Sequence, residues 1–295
     1  MNAIIFGING QDGFYLSGRL HDNNIKVVGV SRTKGNWIEG NVADKLFVDT
    51  LVKKEKPNYI FHLAANSTTK HERLFENHET ISTGSLNILE SVYRHSPLTK
   101  IFLSGSGLQF KNDGLPISEN NEFEARDVYS IARIQSVYAA RYFRSLGVKV
   151  YFGYFFNHDS PLRSERHVNQ KIVQAAKRID RGSTERIELG DITVKKEFMF
   201  AGDVAEAIWA FLQNDTIYEA VIGSGKAYSI EDWLSICFGY FNKDWRLYVT
   251  ANNHLFKKDY DILVSNPKTI LNLGWKQKTD IDALAKIMIE HDLGN

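Results

Sequence analysis

The first half of the chain alternates short, unbroken apolar runs with segments of helical period, and few folds accept that pattern. Ala3–Phe6, Lys26–Val30, Tyr59–Leu63, Lys100–Leu103 and Lys149–Phe155 read as buried strands. Between them, Gln11–His21, Asp44–Lys56, Ser82–His95 and Val128–Leu146 read as helices. Strands rich in β-branched and aromatic residues, with no polar alternation, are buried on both faces. This requires a parallel sheet covered by helices on each side. Right-handed crossovers then give a doubly wound α/β fold of the Rossmann type. After about residue 156 the pattern loosens. Helices are expected at Val168–Arg181, Asp203–Gln213, Ile230–Phe241 and Ile281–His291, with a strand at Ala220–Gly223. We expect residues 1–156 to form a dinucleotide-binding domain. Residues 157–295 would be mainly a smaller mixed α/β substrate region that returns some late elements to the sheet.

Bulk properties exclude several roles. The 295 residues suffice for one large or two unequal domains, and 43% apolar with 24% charged residues is ordinary for a globular protein. A formal net charge of +1 gives no field for nucleic acid or an anionic membrane. The single cysteine, Cys237, permits no intrachain disulfide, and neither a signal peptide nor a membrane-length apolar run is evident. These features lead us to expect a cytoplasmic protein. The nine histidines show no metal-ligand spacing, so no metal is expected.

The first strand runs into Gly7-Ile8-Asn9-Gly10-Gln11-Asp12-Gly13, which opens the first helix. Glycines there allow a tight turn and close approach of a pyrophosphate, and the helix N-terminus supplies free N–H groups and partial positive charge. Alone, glycines at a strand–helix turn are common; the position between the first strand and first helix is what marks a dinucleotide site. The second strand ends Val30-Ser31-Arg32-Thr33-Lys34, with no acid before Glu39. An acid would bond a ribose 2′-hydroxyl, whereas Ser31 and Arg32 suit a 2′-phosphate. NADP is therefore expected, with NAD as the alternative and a merely solvated basic loop as the plainer reading.

The strand Ile101-Phe102-Leu103 leads into Ser104-Gly105-Ser106-Gly107, and Tyr129 and Arg133 lie four apart on one helix face. A phenol is only ~0.1% ionised at neutral pH, so a neighbouring cation is needed if Tyr129 is to exchange a proton with a substrate hydroxyl. Ser106 would hold that oxygen, with Ser104 as its rival. A Tyr–Arg pair by itself is commonly structural. The ordered set of glycine turn, serine strand end and Tyr–Arg helix carries the argument.

At these residues the chain resembles the extended short-chain dehydrogenase/reductase superfamily of sugar-nucleotide epimerases and dehydratases, and within it the GDP-mannose 4,6-dehydratase family. The resemblance rests on Gly7–Gly13, on Lys56-Pro57 through His62–Ser67, on Phe156–Arg163 with Val168–Ile172, and on Leu189-Gly190-Asp191 through Asp203-Val204. Asn266-Pro267-Lys268 and Leu273–Lys276 extend it, so that nearly the whole chain is covered. It implies that Tyr129, Ser106 and Arg133 are catalytic. It further implies a cofactor site of Gly7, Asn9, Gly10, Gln11, Asp12, Gly13, Ser31, Arg32, Asn41, Val42, Leu63, Ala64 and Ala65. A nucleotide-diphosphate sugar, GDP-linked in the family's pattern, would be held by Asn157, Arg163, Lys171, Lys196 and Lys257. Two departures stand out: Arg133 replaces the family's lysine, and no acid stands in Ser104–Gln109, where the dehydratases carry Thr-Ser-Glu. They favour an epimerase or 4-keto reductase over a 4,6-dehydratase, and leave open a non-catalytic binding protein. The short Thr33–Glu39 segment suggests a homodimer.

Overall fold

The computed structural model describes residues 1–66, 68–252 and 260–291. Lys257 lies outside the described residues. In chain order the elements are β1 Asn2–Phe6, α1 Gln11–Asp22, β2 Lys26–Ser31, β3 Ile38–Glu39, α2 Lys45–Glu55, β4 Tyr59–His62, α3 Leu74–Asn77, α4 Gly84–His95, β5 Lys100–Ser106, α5 Val128–Ser145 and β6 Val150–Phe155. There follow β7 His158–Asp159, α6 Val168–Asp180, β8 Ile187–Leu189, β9 Lys195–Glu197, β10 Met199–Phe200, α7 Ala201–Phe211, β11 Glu219–Ile222, β12 Ala227–Ser229, α8 Ile230–Gly239, β13 Val249–Ala251, β14 Ile262–Leu263, α9 Lys268–Asn272 and α10 Ile281–Glu290.

One seven-stranded sheet has the order β11-β6-β5-β4-β1-β2-β3, parallel throughout. The chain reverses its direction of travel across the sheet between β1 and β4, which creates a crevice at the carboxyl ends of those strands. The fold is the doubly wound α/β architecture expected from the strand pattern. One face is packed by α2, α4 and α5 around Ile4, Ile60, Ile101 and Val150; the other by α1 and α7 around Ile5, Phe61, Phe102 and Ile222. The apolar runs are buried on both faces because successive side chains enter these two different cores.

A third core gathers α6, α8 and α10 with β8 and β13 around Trp233, Phe238 and Met288. The buried carboxylate of Glu197 ties this region to the sheet by accepting from the backbone N–H groups of Ser224, Gly225 and Ser265.

Two local differences bear on the site. β5 continues to Ser106, because Ser104, Gly105 and Ser106 pair with Gly153, Tyr154 and Phe155. The helix before β5 starts earlier than residue 82: α3 runs through a wide-turn segment, His78–Thr83, directly into α4. Polar residues such as His71, Glu72 and Arg73 hide that start from an apolar-period reading.

Candidate active site

The glycine turn is shaped by sterics. Gly7 has φ +92°, and a Cβ there would stand 2.6 Å from the Ala64 nitrogen. A Cβ on Gly13 would stand 2.4 Å from the Gly7 carbonyl oxygen. Gly10 is different: its nearest neighbour would be 3.4 Å away, so this residue faces open space at the start of α1. It is also the N-cap of α1 and makes no side-chain cap bond, which leaves the helix N–H groups available to an anion.

A cavity of about 220 Å³ opens from this turn, lined by Gly7, Asn9, Gly10, Ser31, Arg32, Thr33, Asn41, Val42, Leu63, Ala64 and Ala65 among others. Asn9 donates to Thr33, whose hydroxyl also meets Ser31, so the loop after β2 is fastened to the glycine turn. Arg32 is half-exposed and pairs loosely with Glu76 at 3.5 Å. Glu39 is paired in register with Ser31 but is exposed and does not line this cavity. The Asn41 carboxamide accepts from the Ala43 N–H. The open helix start, the steric need for glycine and the long cavity fit a dinucleotide.

A second, larger cavity of about 330 Å³ continues past Gly10, lined by Ser104, Ser106, Tyr129, Arg133, Asn157, His158, Arg163 and His167 among others. Tyr129 sits in the first turn of α5, where Asp127 caps the helix by accepting from the Tyr129 and Ser130 N–H groups. Arg133, one turn on, is 4% exposed. One of its terminal nitrogens donates to the Tyr129 hydroxyl at 3.1 Å; the other donates to the Ser104 hydroxyl at 2.9 Å and to the Ser104 carbonyl. Among the described residues Arg133 forms no ion pair, and its Nε has no partner. The guanidinium is therefore shared between the phenol and Ser104. Because Tyr129 Oη accepts from Arg133, its own hydrogen is free to point into the cavity.

Ser104 and Ser106 share one face of β5, two residues apart, and they are used differently. Ser104 holds the guanidinium and donates to the His62 carbonyl. The Ser106 oxygen accepts from the Leu108 N–H, while Gln109 accepts from the Ser106 N–H, a reciprocal cap that fixes the hydroxyl at the cavity wall. His62 behind them is held neutral, its pKa pushed down to about 4 by burial first and by Arg133 second.

The glycines that follow each of these serines have no room for a side chain. A Cβ on Gly105 would meet the Phe152 ring at 2.4 Å, and one on Gly107 the Phe156 ring at 2.8 Å. Among the described residues the only carboxylate lining the cavity is Asp12.

Asp12 and Gln11 were expected as cofactor residues; both line the cavity, yet their side chains reach the loop after β6. Asp12 accepts from His158 Nε2 at 2.9 Å, and Gln11 bonds both the His158 carbonyl and the Ser160 hydroxyl. Of the residues expected to hold the diphosphate, Asn157 lines the cavity with its amide oxygen buried and unpartnered, and Arg163 lines it while pairing with Asp159. Lys196, on β9, lies near Asp159 and Arg163, and burial lowers its pKa. Lys171 does not line the cavity; its ammonium donates to the Glu188 carbonyl at the surface. Sequence reasoning gave no role to His62, Gln109, His158, Asp159 or His167. His158 and Asp159 stood inside the matched segment Phe156–Arg163, which was the available signal.

The doubly wound fold and the whole-chain family match are those of an NAD(P)-dependent enzyme of the short-chain dehydrogenase/reductase class that modifies nucleotide sugars. The profile described as GDP-mannose 4,6 dehydratase matches residues 4–288, and the chain belongs to that family. It is 29% identical over 325 residues to GDP-mannose 4,6 dehydratase 2 of Arabidopsis thaliana, covering 99% of this chain and 86% of that protein. In fold it matches the UDP-glucose 4-epimerase of Thermotoga maritima, solved with UDP-glucose, with a TM-score of 0.86, 19% identity and 98% of each chain covered. It also matches RMD of Pseudomonas aeruginosa, solved with NADPH, with a TM-score of 0.86, 17% identity, and 98% and 97% of the two chains covered. No helix among the described residues is long and apolar enough to cross a membrane.

Proposed function

We propose that this protein is an NADP-dependent 4-keto reductase or 4-epimerase of a nucleotide-diphosphate sugar, with GDP as the favoured nucleotide. The observation that carries the reading is the closed strand end. Tyr129, Ser106 and Arg133 would serve redox chemistry at one carbon, while Phe152 and Phe156 crowd the space a dehydrating acid would need beside Gly105 and Gly107. The one lining carboxylate, Asp12, is engaged by His158.

A bound nicotinamide would exchange hydride with the sugar carbon. Tyr129 would give the oxygen on that carbon its proton, or take it in the reverse direction. Arg133 stabilises the phenolate left behind, helped by the positive end of α5. Arginine keeps its proton at all working pH values, so it acts as a fixed charge and not as a relay. The Ser106 hydroxyl orients the same oxygen. Asn157 and Arg163 would face the diphosphate, with Lys196 behind them; Lys171 would reach it only by leaving Glu188. Arg32 and Ser31 would take the 2′-phosphate, and Asn41 and Val42 would border the adenine.

The same reading divides the chain near residue 156 into a cofactor part and a mainly substrate-binding part. It also makes the enzyme a homodimer. The exposed faces of α4 and α5 carry Leu86, Tyr93, Ile131, Tyr138 and Tyr142, which a second copy would cover.

The family's overall similarity favours one competitor, a 4,6-dehydratase with rearranged groups. Incubation with NADPH and a panel of GDP- and UDP-linked sugars, ordinary and 4-keto, separates the two. The expected result is 4-keto reduction or 4-epimerisation. Formation of a 4-keto-6-deoxy sugar from GDP-mannose would establish the competitor, and tight NADPH binding without turnover on any sugar would make the protein a binding module.

A further inference from the structure

Two polar ties join the first turn of α1 to the loop that follows β6. His158 Nδ1 faces the Phe156 carbonyl at 2.8 Å, and Nε2 faces the Asp12 carboxylate at 2.9 Å. Both partners are acceptors, so both ring nitrogens must donate, which only the imidazolium can do. Beside this ion pair runs a neutral tie, in which Gln11 donates to the His158 carbonyl and accepts from the Ser160 hydroxyl. The loop then continues the network. The Asp159 carboxylate accepts from Asn169 on α6 and from Arg163, and Arg163 reaches the His167 ring at 3.4 Å.

One end of this network therefore lies at a helix start suited to the cofactor's phosphates. The other end lies among the residues assigned to the sugar nucleotide. The charged groups facing His158 are Asp12 from α1 and Arg163 from its own loop; Asp159 is turned toward Asn169 and Arg163.

We propose that Asp12–His158, supported by Gln11–Ser160, is a coupling clasp through which an occupied cofactor site tightens the grip of the 157–163 loop on the substrate's diphosphate. Phosphates at the start of α1 add negative charge next to Asp12 and make the imidazolium more favourable there. A firmly charged His158 holds the loop, and with it Asn157 and Arg163, against the cavity. The converse follows by linkage: a nucleotide that orders the loop raises cofactor affinity by the same factor. Burial alone would lower the His158 pKa, but the charge and hydrogen bond of Asp12 more than reverse this, so the pairing favours the charged ring that the two acceptors require.

The inference rests on the cofactor and substrate assignments proposed above, and its test uses binding alone. The full chain is titrated with GDP, with and without saturating NADPH, and tryptophan fluorescence is followed. In the wild type, GDP binds about fivefold or more tightly when NADPH is present. His158→Asn abolishes that factor while changing the affinity for GDP alone much less. Should His158→Asn fail to fold by circular dichroism, Ser160→Ala removes one of the two bonds of the neutral tie without stranding a charge and lowers the factor about twofold. Equal GDP affinity with and without NADPH in the wild type overturns the clasp, as does an undiminished factor in the folded variants. A wild type that binds no NADPH at all instead overturns the cofactor assignment.

Discussion

The two ends of the crevice are built by different means. At the adenosine end the cavity is formed by backbone, by a turn in which Gly7 and Gly13 leave no room for a side chain, and by a short loop fastened through Asn9, Ser31 and Thr33. At the catalytic end it is formed by side chains from α1, β5, α5 and the loop after β6, each holding another. A site made of backbone tolerates few substitutions at its steric positions and is indifferent to the rest. A site made of side chains distributes its dependence over residues far apart in the chain.

The largest expected effect tests the catalytic end alone. Tyr129→Phe removes the proton donor but leaves the ring and its contact with Arg133, whose guanidinium lies 5.0 Å from the ring centre. We expect kcat to fall by about 10²–10⁴ with NADPH affinity unchanged. Steady-state rates with fluorescence titration of cofactor measure both; a loss of less than fivefold would remove Tyr129 from the chemistry.

That contrast also explains what could be read from the sequence. The doubly wound sheet was legible because continuous apolar runs admit little else, and the glycine turn because its spacing follows from the backbone's own sterics. Tyr129 and Arg133 were legible because they lie one helical turn apart. The partnership of Gln11 and Asp12 with His158 and Ser160 was not, since it spans 146 to 149 residues and no local period records it. The choice between Ser104 and Ser106 was not legible either. Both point to one side of β5, and only the reach of the Arg133 fork separates their duties. The small strands β8 to β10 escaped because each has two or three residues, too short for any periodicity to show.

The next effect sharpens the adenosine end. Gly13→Ala pushes a methyl carbon to 2.4 Å from a backbone oxygen, whereas Gly10→Ala meets nothing closer than 3.4 Å within the protein. Gly13→Ala should cost about 1–3 kcal/mol in urea unfolding and weaken NADPH binding tenfold or more. Gly10→Ala should leave stability within about 0.5 kcal/mol while still weakening NADPH, because its methyl enters the ligand's space. Equal destabilisation by the two would mean that the turn is not sterically locked.

A third test uses pH at the catalytic end. His62 is neutral when folded, with its pKa at about 4, and would titrate near 6.5 when unfolded. As pH falls from 7 the unfolded chain takes up the proton first, so this residue's contribution is whole above about 6.5 and is lost down through about 4. Between pH 7 and 5 the wild type should lose about 2 kcal/mol that His62→Gln does not lose. Urea unfolding at the two pH values measures this, and parallel losses in both proteins would show that the histidine does not titrate as described.

The smallest expected effect falls on the half-exposed arginine at the adenosine end, where solvent and salt screen the charge. Arg32 lines the cavity and its partner Glu76 is 3.5 Å away, an ion pair loose enough to yield to a phosphate. Glu39, the nearest acid in the sequence after β2, is exposed and turned out of the cavity. Arg32→Ala should therefore weaken NADPH binding about tenfold at low salt, less at 0.5 M salt, and leave NADH unchanged. Isothermal titration with the two cofactors makes the comparison. A wild type that prefers NADH, or a variant that loses both cofactors equally, would show that the end of β2 does not read the 2′-phosphate, and the adenosine end would then owe its affinity to backbone alone.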